Sequence, residues 1–301
     1  MKIVVTGANG LVGSRLVRRL ESAGHQVLAV GRGAQRLPAG AFTWLSADLG
    51  DAAALTQGLT QFGAEVIINP AGATDVDGCE RDPVGAYVAN VEGVATLCKI
   101  SRALNAHLVH VSTDYVFDGD AGPYDTEAIP NPRGTYAITK HLGEQTVKAL
   151  LPASQWTIAR TAVVFGWPNA GKNNFGSWLI DSFSQKKPVK LFEDQWVSAS
   201  LALNVSDMLA ELAERKLSGI FHTCGSDVID RVTFGKALCE RFGFDASLIT
   251  PSRMADVKLL SPRPSKSGLR VEKTAQTLKA KPFTLAQSLD GLFAEFKKGT
   301  P

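Results

Sequence analysis

Short apolar runs alternate with amphipathic stretches through the first half of the chain. Residues 11–22 and 82–104 have the apolar spacing of helices, and Pro83 suits the first turn of the second helix. Strands that alternate with helices predict a parallel sheet covered by helices on both faces. The apolar runs are short enough for buried strands and lie at residues 2–6, 27–30, 65–69 and 107–111, the last leading into Ser112 and Thr113.

A glycine-rich turn joins the first predicted strand to the first predicted helix. Its glycines have a G-x-x-G-x-x-G spacing over residues 7–13. Glycines allow the backbone to turn tightly and approach a pyrophosphate, while the N–H groups and dipole at a helix start attract its negative charge. Strand, glycine turn and helix together predict a dinucleotide-binding site. The expected cofactor contacts are Gly7, Asn9, Gly10, Leu11, Val12 and Gly13.

The regular alternation of short apolar runs and amphipathic stretches ends after Arg160. Residues 166–174 are rich in Gly, Pro and Asn, and we expect irregular elements beyond them. A helix over 205–214 and a strand over 219–222 predict that the chain returns to the first unit around residues 203–225. We therefore predict an α/β protein with a Rossmann-type doubly wound parallel sheet in residues 1–165 and a smaller C-terminal substrate-binding domain in residues 166–301.

The residue after the second strand indicates which dinucleotide is bound. An acidic residue that holds the adenosine ribose is expected about twenty residues past the glycines, but Gly31 and Arg32 stand there. A carboxylate would repel a ribose 2′-phosphate, whereas a guanidinium would pair with it. Arg32 therefore favours NADP(H), with NAD(H) left open as a second cofactor. The alternative is that Arg32 is an ordinary solvated cation.

Composition narrows the class of protein. The formal net charge of +3 and the lack of a basic cluster argue against a nucleic-acid partner. The four cysteines form no C-x-x-C pair, as expected for thiols in a reducing compartment. The first strand begins at the second residue and no apolar run is long enough for a membrane span, so we expect a cytoplasmic protein with no signal peptide and no membrane partner. The five histidines lack metal-ligand spacing, and we expect no metal site.

Tyr136 and Lys140 lie four residues apart, on one face of a predicted helix. A tyrosine with its ordinary pKa of about 10 is a poor acid–base group near neutral pH, and a nearby ammonium group would stabilise the phenolate. Ser112 and Thr113 bring hydroxyls to the carboxyl end of a strand in mid-sheet, where open α/β sheets bind ligands. A hydroxyl there could hold a carbonyl oxygen or, alternatively, cap the following turn.

In the glycine turn, the Ser112-Thr113 pair and the spacing of Tyr136 and Lys140, the chain resembles an extended short-chain dehydrogenase/reductase. Within that superfamily it resembles the dTDP-4-dehydrorhamnose reductase family. The stretch Val111–Gly119, Val-Ser-Thr-Asp-Tyr-Val-Phe-Asp-Gly, matches the diagnostic run of that family. Asp114 and Tyr115 stand where related dehydratases carry an Asp-Glu pair that they use for elimination, so the resemblance favours reduction. Other matching positions span nearly the whole chain and include Asn69, Ala71, Asp77, Asn90, Tyr124, Gly143, Glu144, Arg160, Gly166, Asn174, Phe175, Asp194, Gln195, Arg263 and Pro264.

The resemblance implies an NADPH-dependent reductase of a keto-sugar attached to a nucleotide. Tyr136 would protonate the developing alkoxide, Lys140 would lower the Tyr136 pKa and bind the nicotinamide ribose, and Thr113 would hydrogen-bond the oxygen. The chain departs mildly from the family pattern at Ala137, and its departures at Val163 and Ser198-Ala199-Ser200, toward the substrate side, leave the sugar itself open. Further contacts implied by the resemblance are, for the cofactor, Asp48, Leu49, Ala71 and Gly72 and, for the substrate, Ser112, Thr113, Asn174, Phe175 and Arg263.

Several of these residues also have a structural interpretation. Asp48 could be a helix N-cap leading into residues 52–55, and Asn90 a packed amide inside a helix rather than the holder of a water molecule. Arg263 could pair with a substrate diphosphate or lie in a plain surface loop. Two other functions stay open, a non-catalytic regulatory subunit resembling the β subunit of methionine adenosyltransferase and a sugar-nucleotide epimerase. A homodimer is also left open.

Overall fold

The structure, a computed structural model, describes residues 1–168 and 173–299. Part of the Gly-, Pro- and Asn-rich segment, residues 169–172, and the last two residues of the expected second domain lie outside the described residues. The strands are β1 (Lys2–Val5), β2 (Gln26–Gly31), β3 (Thr43–Ser46), β4 (Val66–Asn69), β5 (His107–Thr113), β6 (Trp156–Thr161), β7 (Val164–Phe165), β8 (Val189–Phe192), β9 (Trp196–Ser198), β10 (Ser200–Leu201), β11 (Gly219–His222), β12 (Val228–Asp230) and β13 (Ile249–Ser252). The helices are α1 (Leu11–Ser22), α2 (Ala52–Phe62), α3 (Val76–Arg81), α4 (Pro83–Tyr87), α5 (Gly93–Leu104), α6 (Thr135–Leu150), α7 (Phe175–Ser184), α8 (Ala202–Glu214), α9 (Arg231–Phe242), α10 (Glu272–Thr277) and α11 (Leu285–Lys298).

Seven strands form one sheet in the order β11-β6-β5-β4-β1-β2-β3. Every neighbouring pair in it runs parallel. The chain passes from β1 to β2 and β3 on one side and then returns to β4 and β5 on the other, so the strand order reverses between β1 and β4. Open α/β sheets bind ligands outside the carboxyl ends of the strands at such a reversal. The predicted Rossmann-type sheet and its predicted strands are confirmed.

Helices cover both faces of this sheet. On one face, α1 and α8 bury Leu16 and Val205 against Ile3 of β1. On the other face, α2 and α5 bury Leu55 and Leu97 against residues of β1 and β4. Every residue of β4 and β5 is buried, which explains why these strands appear in the sequence as nearly continuous apolar runs.

The helix predicted over residues 82–104 is present, but it is not uniform. Asp82 caps its start by accepting a hydrogen bond from the N–H of Gly85 at 2.9 Å, and Pro83 occupies the first turn as predicted. A π-helical turn at Val88–Glu92 separates α4 from α5. Such wide turns occur frequently at functional sites, and this one contains Asn90.

Beyond Arg160 the chain is more regular than expected. Helices α7, α8, α9 and α11 have 10, 13, 12 and 14 residues, so the expectation of irregular elements is wrong. Helix α7 buries Leu179, Ile180 and Phe183 in a second hydrophobic core, while Trp178 on the same helix is 39% exposed. This core surrounds Phe165, Phe234 and Leu292, whereas the predicted helix over 205–214 and strand over 219–222, both confirmed, pack with the central sheet.

Candidate active site

The turn between β1 and α1 leaves the start of α1 open. Gly7 has a φ of +58°, a left-handed conformation that glycine adopts without strain. A Cβ on Gly13 would lie 2.2 Å from the Gly7 carbonyl oxygen, so this glycine allows α1 to pack against the turn. Gly10 is the N-cap of α1 and contributes no side-chain cap. The first-turn N–H groups, those of Leu11 and Val12 among them, are therefore suited to an anion such as a pyrophosphate.

Asn9 orders the loop that follows β2. Its Nδ2 donates a hydrogen bond to the carbonyl of Ala34 at 3.0 Å, and its Oδ1 accepts one from the N–H of Arg36 at 2.9 Å. Arg32 lies on this loop with 84% of its side chain exposed, and its Nε is 3.6 Å from Oδ2 of Asp48. An exposed pair of this kind holds a guanidinium only weakly. Arg32 is thus available to a ligand at the edge of the glycine turn.

Asp48 is not the N-cap of α2. Its Oδ1 accepts a hydrogen bond from the N–H of Gly50 at 2.8 Å. The N-cap is Asp51, whose Oδ1 accepts one from the N–H of Ala54 at 3.0 Å. The N-cap interpretation of Asp48 is therefore wrong, because α2 begins too far along the chain. Leu49 is buried and belongs to the core beneath α2 and α5.

Asn90 fastens the loop after β4 to the π-helical turn. Its Oδ1 accepts a hydrogen bond from the N–H of Ala73 at 2.9 Å, and its Nδ2 donates to the Ala73 carbonyl and to Oγ1 of Thr139, each at 3.1 Å. The packed interpretation of Asn90 is confirmed. A Cβ on Gly72 would lie 2.6 Å from the Asn90 Oδ1 and 3.9 Å from the Lys140 Nζ, so Gly72 lies close to both the π-helical turn and α6.

Thr113, Tyr136 and Lys140 meet where β5 ends beside α6. The Thr113 Oγ1 donates a hydrogen bond to Oδ1 of Asp114 at 3.1 Å and accepts one from the backbone N–H two residues on, at 3.2 Å. The hydroxyl therefore does cap the following turn, and it also interacts with the Tyr136 phenol. The Lys140 Nζ donates to the carbonyl of Val111 at 2.7 Å. Local helix spacing and the end of one strand thus bring the three predicted groups together.

Burial dominates the electrostatics of these groups. It raises the pKa of Tyr136, while the interaction with Thr113 acts in the opposite direction. Burial lowers the pKa of Lys140 to about 8, with the charge of Glu144 acting against it. The phenol is therefore protonated near neutral pH, as a proton donor must be, but the raised pKa makes it a weaker acid than a free tyrosine. The Lys140 ammonium group is held by a backbone carbonyl, so its effect on the Tyr136 pKa stays a prediction.

A buried ion pair lies one helical turn beyond Lys140. The Nε and Nη2 of Arg160 donate hydrogen bonds to the two carboxylate oxygens of Glu144 at 2.9 and 2.7 Å. Burial acts to raise the Glu144 pKa, but the hydrogen bonds and charge of Arg160 bring it below its ordinary value. The Ser112 side chain adds to this lowering, so its hydroxyl is close to the pair. Substrate binding by Ser112 stays a prediction.

The predicted substrate residues after the loop at 166–174 have different surroundings. Asn174 is the N-cap of α7 in a capping box with Ser177, and its Nδ2 donates a hydrogen bond to the carbonyl of Gly166 at 2.8 Å. Its amide is therefore already engaged in holding this loop to the helix. The Phe175 ring centroid lies 4.6 Å from the Arg231 guanidinium carbon. Contacts of Asn174 and Phe175 with a substrate stay predictions.

Arg263 is not part of a plain surface loop. Only 14% of its side chain is exposed, and its Nη2 is 2.9 Å from Oδ1 of Asp77. Its Nη1 donates a hydrogen bond to the carbonyl of Ser261 at 3.3 Å. Asp77 also accepts a hydrogen bond from the N–H of Ser261 at 3.2 Å, so the guanidinium fastens this loop to α3.

Two residues beside the predicted acid, Tyr115 and Asp114, match the family pattern but had no predicted contact in the site. The ring of Tyr115 meets that of Tyr136 edge to face, with centroids 5.6 Å apart. Asp114 is 1% exposed and accepts a hydrogen bond from Oγ of Ser267 at 2.5 Å. Burial raises the pKa of Asp114 to about 6, opposed by this hydrogen bond and by the one from Thr113. Their position directly after Thr113 was a local signal for both.

Two further residues reach the site from distant parts of the chain. The Arg231 Nε donates a hydrogen bond to Oε1 of Gln195 at 3.0 Å. The Arg231 charge acts on the pKa values of both Asp114 and Tyr115, and the Gln195 side chain interacts with the Tyr115 phenol. Gln195 lay in a matching segment without an assigned role, and no sequence pattern pointed to Arg231.

Residues 1–168 and 173–299 contain neither a candidate metal site nor a candidate membrane-spanning helix. Within these ranges no group of three or more His, Cys, Asp or Glu residues could hold a metal ion. Over the same part of the chain, no helix has the length and apolar character needed to cross a membrane.

Comparison with known proteins gives a consistent result along the whole chain. The family described as RmlD substrate binding domain matches residues 1–298. A probable low-salt glycan biosynthesis reductase of Haloferax volcanii is 34% identical and covers 98% of each chain. The dTDP-4-dehydrorhamnose reductase of Mycobacterium tuberculosis is 32% identical over 89% of this chain and 84% of its own. In structure, the dTDP-4-dehydrorhamnose reductase of Bacillus anthracis, solved in complex with NADP, has a TM-score of 0.86 at 24% identity, covering 98% of this chain and 99% of its own.

Proposed function

The chain belongs to the RmlD substrate-binding domain family, and on this premise we propose that it is an NADPH-dependent reductase of a nucleotide-linked keto-sugar. Relatives over most of its length are named reductases, and one of them is a dTDP-4-dehydrorhamnose reductase. The observation that carries the proposal is the meeting of Thr113, Tyr136 and Lys140 at the carboxyl end of β5, next to the reversal of strand order. This position suits both a dinucleotide and a carbonyl substrate.

The residues around the glycine turn fit NADP(H). The open start of α1 suits the pyrophosphate, Gly7 and Gly10 let the backbone approach it, and Arg32 suits the 2′-phosphate. When bound, NADPH supplies a hydride to the carbonyl carbon of the substrate. We propose that the remaining predicted contacts line the same groove, with Asn9 ordering the loop that carries Arg32. These are Leu11, Val12, Gly13, Asp48, Leu49, Ala71 and Gly72.

The chain's own chemistry is proton donation to the substrate oxygen. Tyr136 donates its phenolic proton to that oxygen, because the alkoxide that develops on the substrate is a stronger base than the phenolate left behind. Thr113 turns its single hydroxyl proton from Asp114 to the same oxygen, and its interaction with the phenol aligns the two groups. Lys140 binds the nicotinamide ribose and stabilises the phenolate that forms after the proton has left.

We also propose that the two functions divide between the predicted domains. Residues 1–165 would bind the dinucleotide and residues 166–301 the substrate, with residues 203–225 returning to the first domain. The packing of Val205, Met208 and Phe221 in the same core as Ile3 supports this return. The separate core around Phe234 and Leu292 supports a second unit that can differ between enzymes with different sugars.

Steady-state oxidation of NADPH tests the proposal. The purified protein would be mixed with NADPH and dTDP-4-dehydrorhamnose or other nucleotide-linked 4-keto-sugars, and the absorbance of NADPH followed. We expect sugar-dependent oxidation and one alcohol product per NADPH consumed. Tight nicotinamide binding without net oxidation would favour the epimerase hypothesis, and binding without any turnover would favour the regulatory subunit.

A further inference from the structure

Arg231 has an unused donor group inside the proposed substrate site. It is the first residue of α9, and its Nε is held by Gln195 at 3.0 Å. The guanidinium lies over the ring of Phe175 with its carbon 4.6 Å from the centroid. Its Nη1 is buried and, among the described residues, has no hydrogen-bond partner. A buried guanidinium N–H without an acceptor destabilises the folded state, and an acceptor supplied by a ligand would remove this cost.

The charges around Arg231 point to an anionic ligand. Burial lowers the pKa of Arg231, the charges of Tyr115 and Asp114 raise it, and Arg263 lowers it again as a neighbouring cation. Asp114, the nearby carboxylate, is itself held by Ser267 and Thr113. Two guanidinium groups near one another repel. An anion between or beside them would reduce this repulsion and would offset the unfavourable free energy of burying a positive charge.

The two arginines differ in how far their donors are already used. Arg263 has its Nη2 on Asp77 and its Nη1 on a backbone carbonyl, so a diphosphate would have to displace an ion pair from it. Arg231 has no carboxylate within ion-pair distance among the residues that the structure describes, and one complete NH2 group is free of protein acceptors. The Arg231 charge acts to lower the pKa of Tyr115, whose ring contacts Tyr136.

We infer that Arg231 binds an oxyanion of the nucleotide-sugar substrate and that it is a specificity-determining residue of the site. The inference rests on the proposed function. Gln195 holds the guanidinium edge-on and Phe175 supports its face, which leaves Nη1 directed to the ligand. Arg263, fixed by Asp77, contributes a second positive charge. The oxyanion is either the diphosphate or a carboxylate carried by the sugar, since both offer acceptor oxygens to an arginine fork.

Binding measurements on variants separate these sources. Arg231→Gln removes the charge with little loss of length, and Arg231→Lys keeps the charge but loses the fork. Lys236→Gln, an exposed residue of the same helix, is the matched control for loss of one positive charge. Each protein, saturated with NADP, would be titrated calorimetrically with thymidine diphosphate, dTDP-glucose and dTDP-glucuronic acid. Thermal unfolding of each variant checks that it folds.

We expect Arg231→Gln to weaken binding by about 10- to 100-fold, the range for a hydrogen bond to a charged group, and Lys236→Gln to leave it unchanged. Arg231→Lys should weaken binding by a smaller factor, and it provides the test of the inference if Arg231→Gln does not fold. Equal losses for all three ligands assign the diphosphate as the oxyanion, and a loss confined to dTDP-glucuronic acid assigns a sugar carboxylate. If the folded Arg231 variants bind all three ligands with wild-type affinity, the inference about Arg231 is wrong, while the proposed function is unaffected. A wild-type protein that binds none of them would overturn the proposed function as well.

Discussion

Tyr136 is the residue on which the proposed proton transfer depends. Its ring is 9% exposed and packs against Tyr115, while Thr113 interacts with the phenol. The groups that act on the phenol include Thr113 of β5, Asp114 and Tyr115 of the turn after it, and Cys79 of α3. Position in the fold, more than helical spacing, defines the chemistry available to this phenol.

Replacing Tyr136 by Phe should separate catalysis from cofactor binding. The variant keeps the ring and its packing but removes the proton, so hydride transfer should slow by roughly 10²–10⁴. The NADPH affinity should change little, because the phenol is proposed to contact the substrate oxygen. Single-turnover kinetics and a calorimetric NADPH titration measure the two effects. Tyr87→Phe, which alters an exposed tyrosine on α4, is the control, and wild-type turnover by Tyr136→Phe would show that another group is the acid.

Arg32 should decide the preference between the two nicotinamide cofactors. Arg32→Ala is expected to cost roughly 1.5–3 kcal/mol of NADPH binding, the range for a hydrogen bond to a charged group, and little NADH binding. The exposed side chain makes only a weak contact with Asp48, so the fold should not depend on it. Titration of both cofactors into the variant tests this. Arg253→Ala, another exposed arginine beside a carboxylate, should change neither affinity, and equal losses for both cofactors would contradict the prediction.

At the scale of elements, the unit β1–turn–α1 follows from local sequence, while the roles of its glycines differ. Gly10 has an extended backbone, with φ −84° and ψ 172°, that other residues can adopt. A Cβ there would lie 3.0 Å from the Gly7 carbonyl oxygen and meet nothing else within 4 Å. At Gly13 the same atom would collide with the turn at 2.2 Å. The spacing of the glycines alone did not indicate that Gly10 borders open space whereas Gly13 is required for the packing of α1 against the turn.

Gly10→Val should therefore fold without binding cofactor. Its branched side chain would occupy the space in front of the α1 start, where the pyrophosphate is proposed to lie. Calorimetry should detect no NADPH binding at concentrations that saturate the wild type, while circular dichroism shows an intact fold. Gly13→Val should instead fail to fold stably, because α1 could no longer approach the turn. Wild-type NADPH affinity in Gly10→Val would contradict a role for this turn in the cofactor site.

Over the whole molecule, one buried ion pair joins three distant segments. Arg15 of α1 donates hydrogen bonds from Nε and Nη2 to the two carboxylate oxygens of Glu295 in α11, at 2.8 and 2.9 Å. Its Nη2 also donates to the carbonyl of Trp167 at 2.7 Å, and the Trp167 N–H donates to Glu295 at 3.0 Å. The cofactor helix, the loop before α7 and the last helix are thus held by one guanidinium.

Glu295→Ala should destabilise the protein by about 3–5 kcal/mol, since it leaves Arg15 buried without its carboxylate. Asp290→Ala is the matched control on the same helix, because Asp290 pairs with Arg241 but has 63% of its side chain exposed. It should cost about 0.2–1 kcal/mol. Urea unfolding of the three proteins gives both values. Similar stabilities for the two variants would mean that this network does not hold α11 in place.

Features that depend on neighbours within a few residues were accessible from the sequence. The alternation of strands and helices, the glycine turn and the helical spacing of Tyr136 and Lys140 all belong to this class, because backbone periodicity alone decides which residues share a face. The sequence was less informative after Arg160, because α7, α9 and α11 pack around a second core whose residues come from distant parts of the chain, from Phe165 to Leu292. Only the fold showed that Asp51, rather than Asp48, caps α2.

Contacts between residues far apart in the chain were decided by the tertiary structure. Arg263 meets Asp77, and Arg231 reaches Gln195 and the surroundings of Tyr115, through the packing of loops and helices from different parts of the chain. No local pattern specifies such a pairing, since it depends on how whole elements pack and on which buried polar groups then find partners. The sequence by itself therefore determined the type of fold and the candidate proton donor, whereas the tertiary structure decided which side chains surround the proposed substrate site.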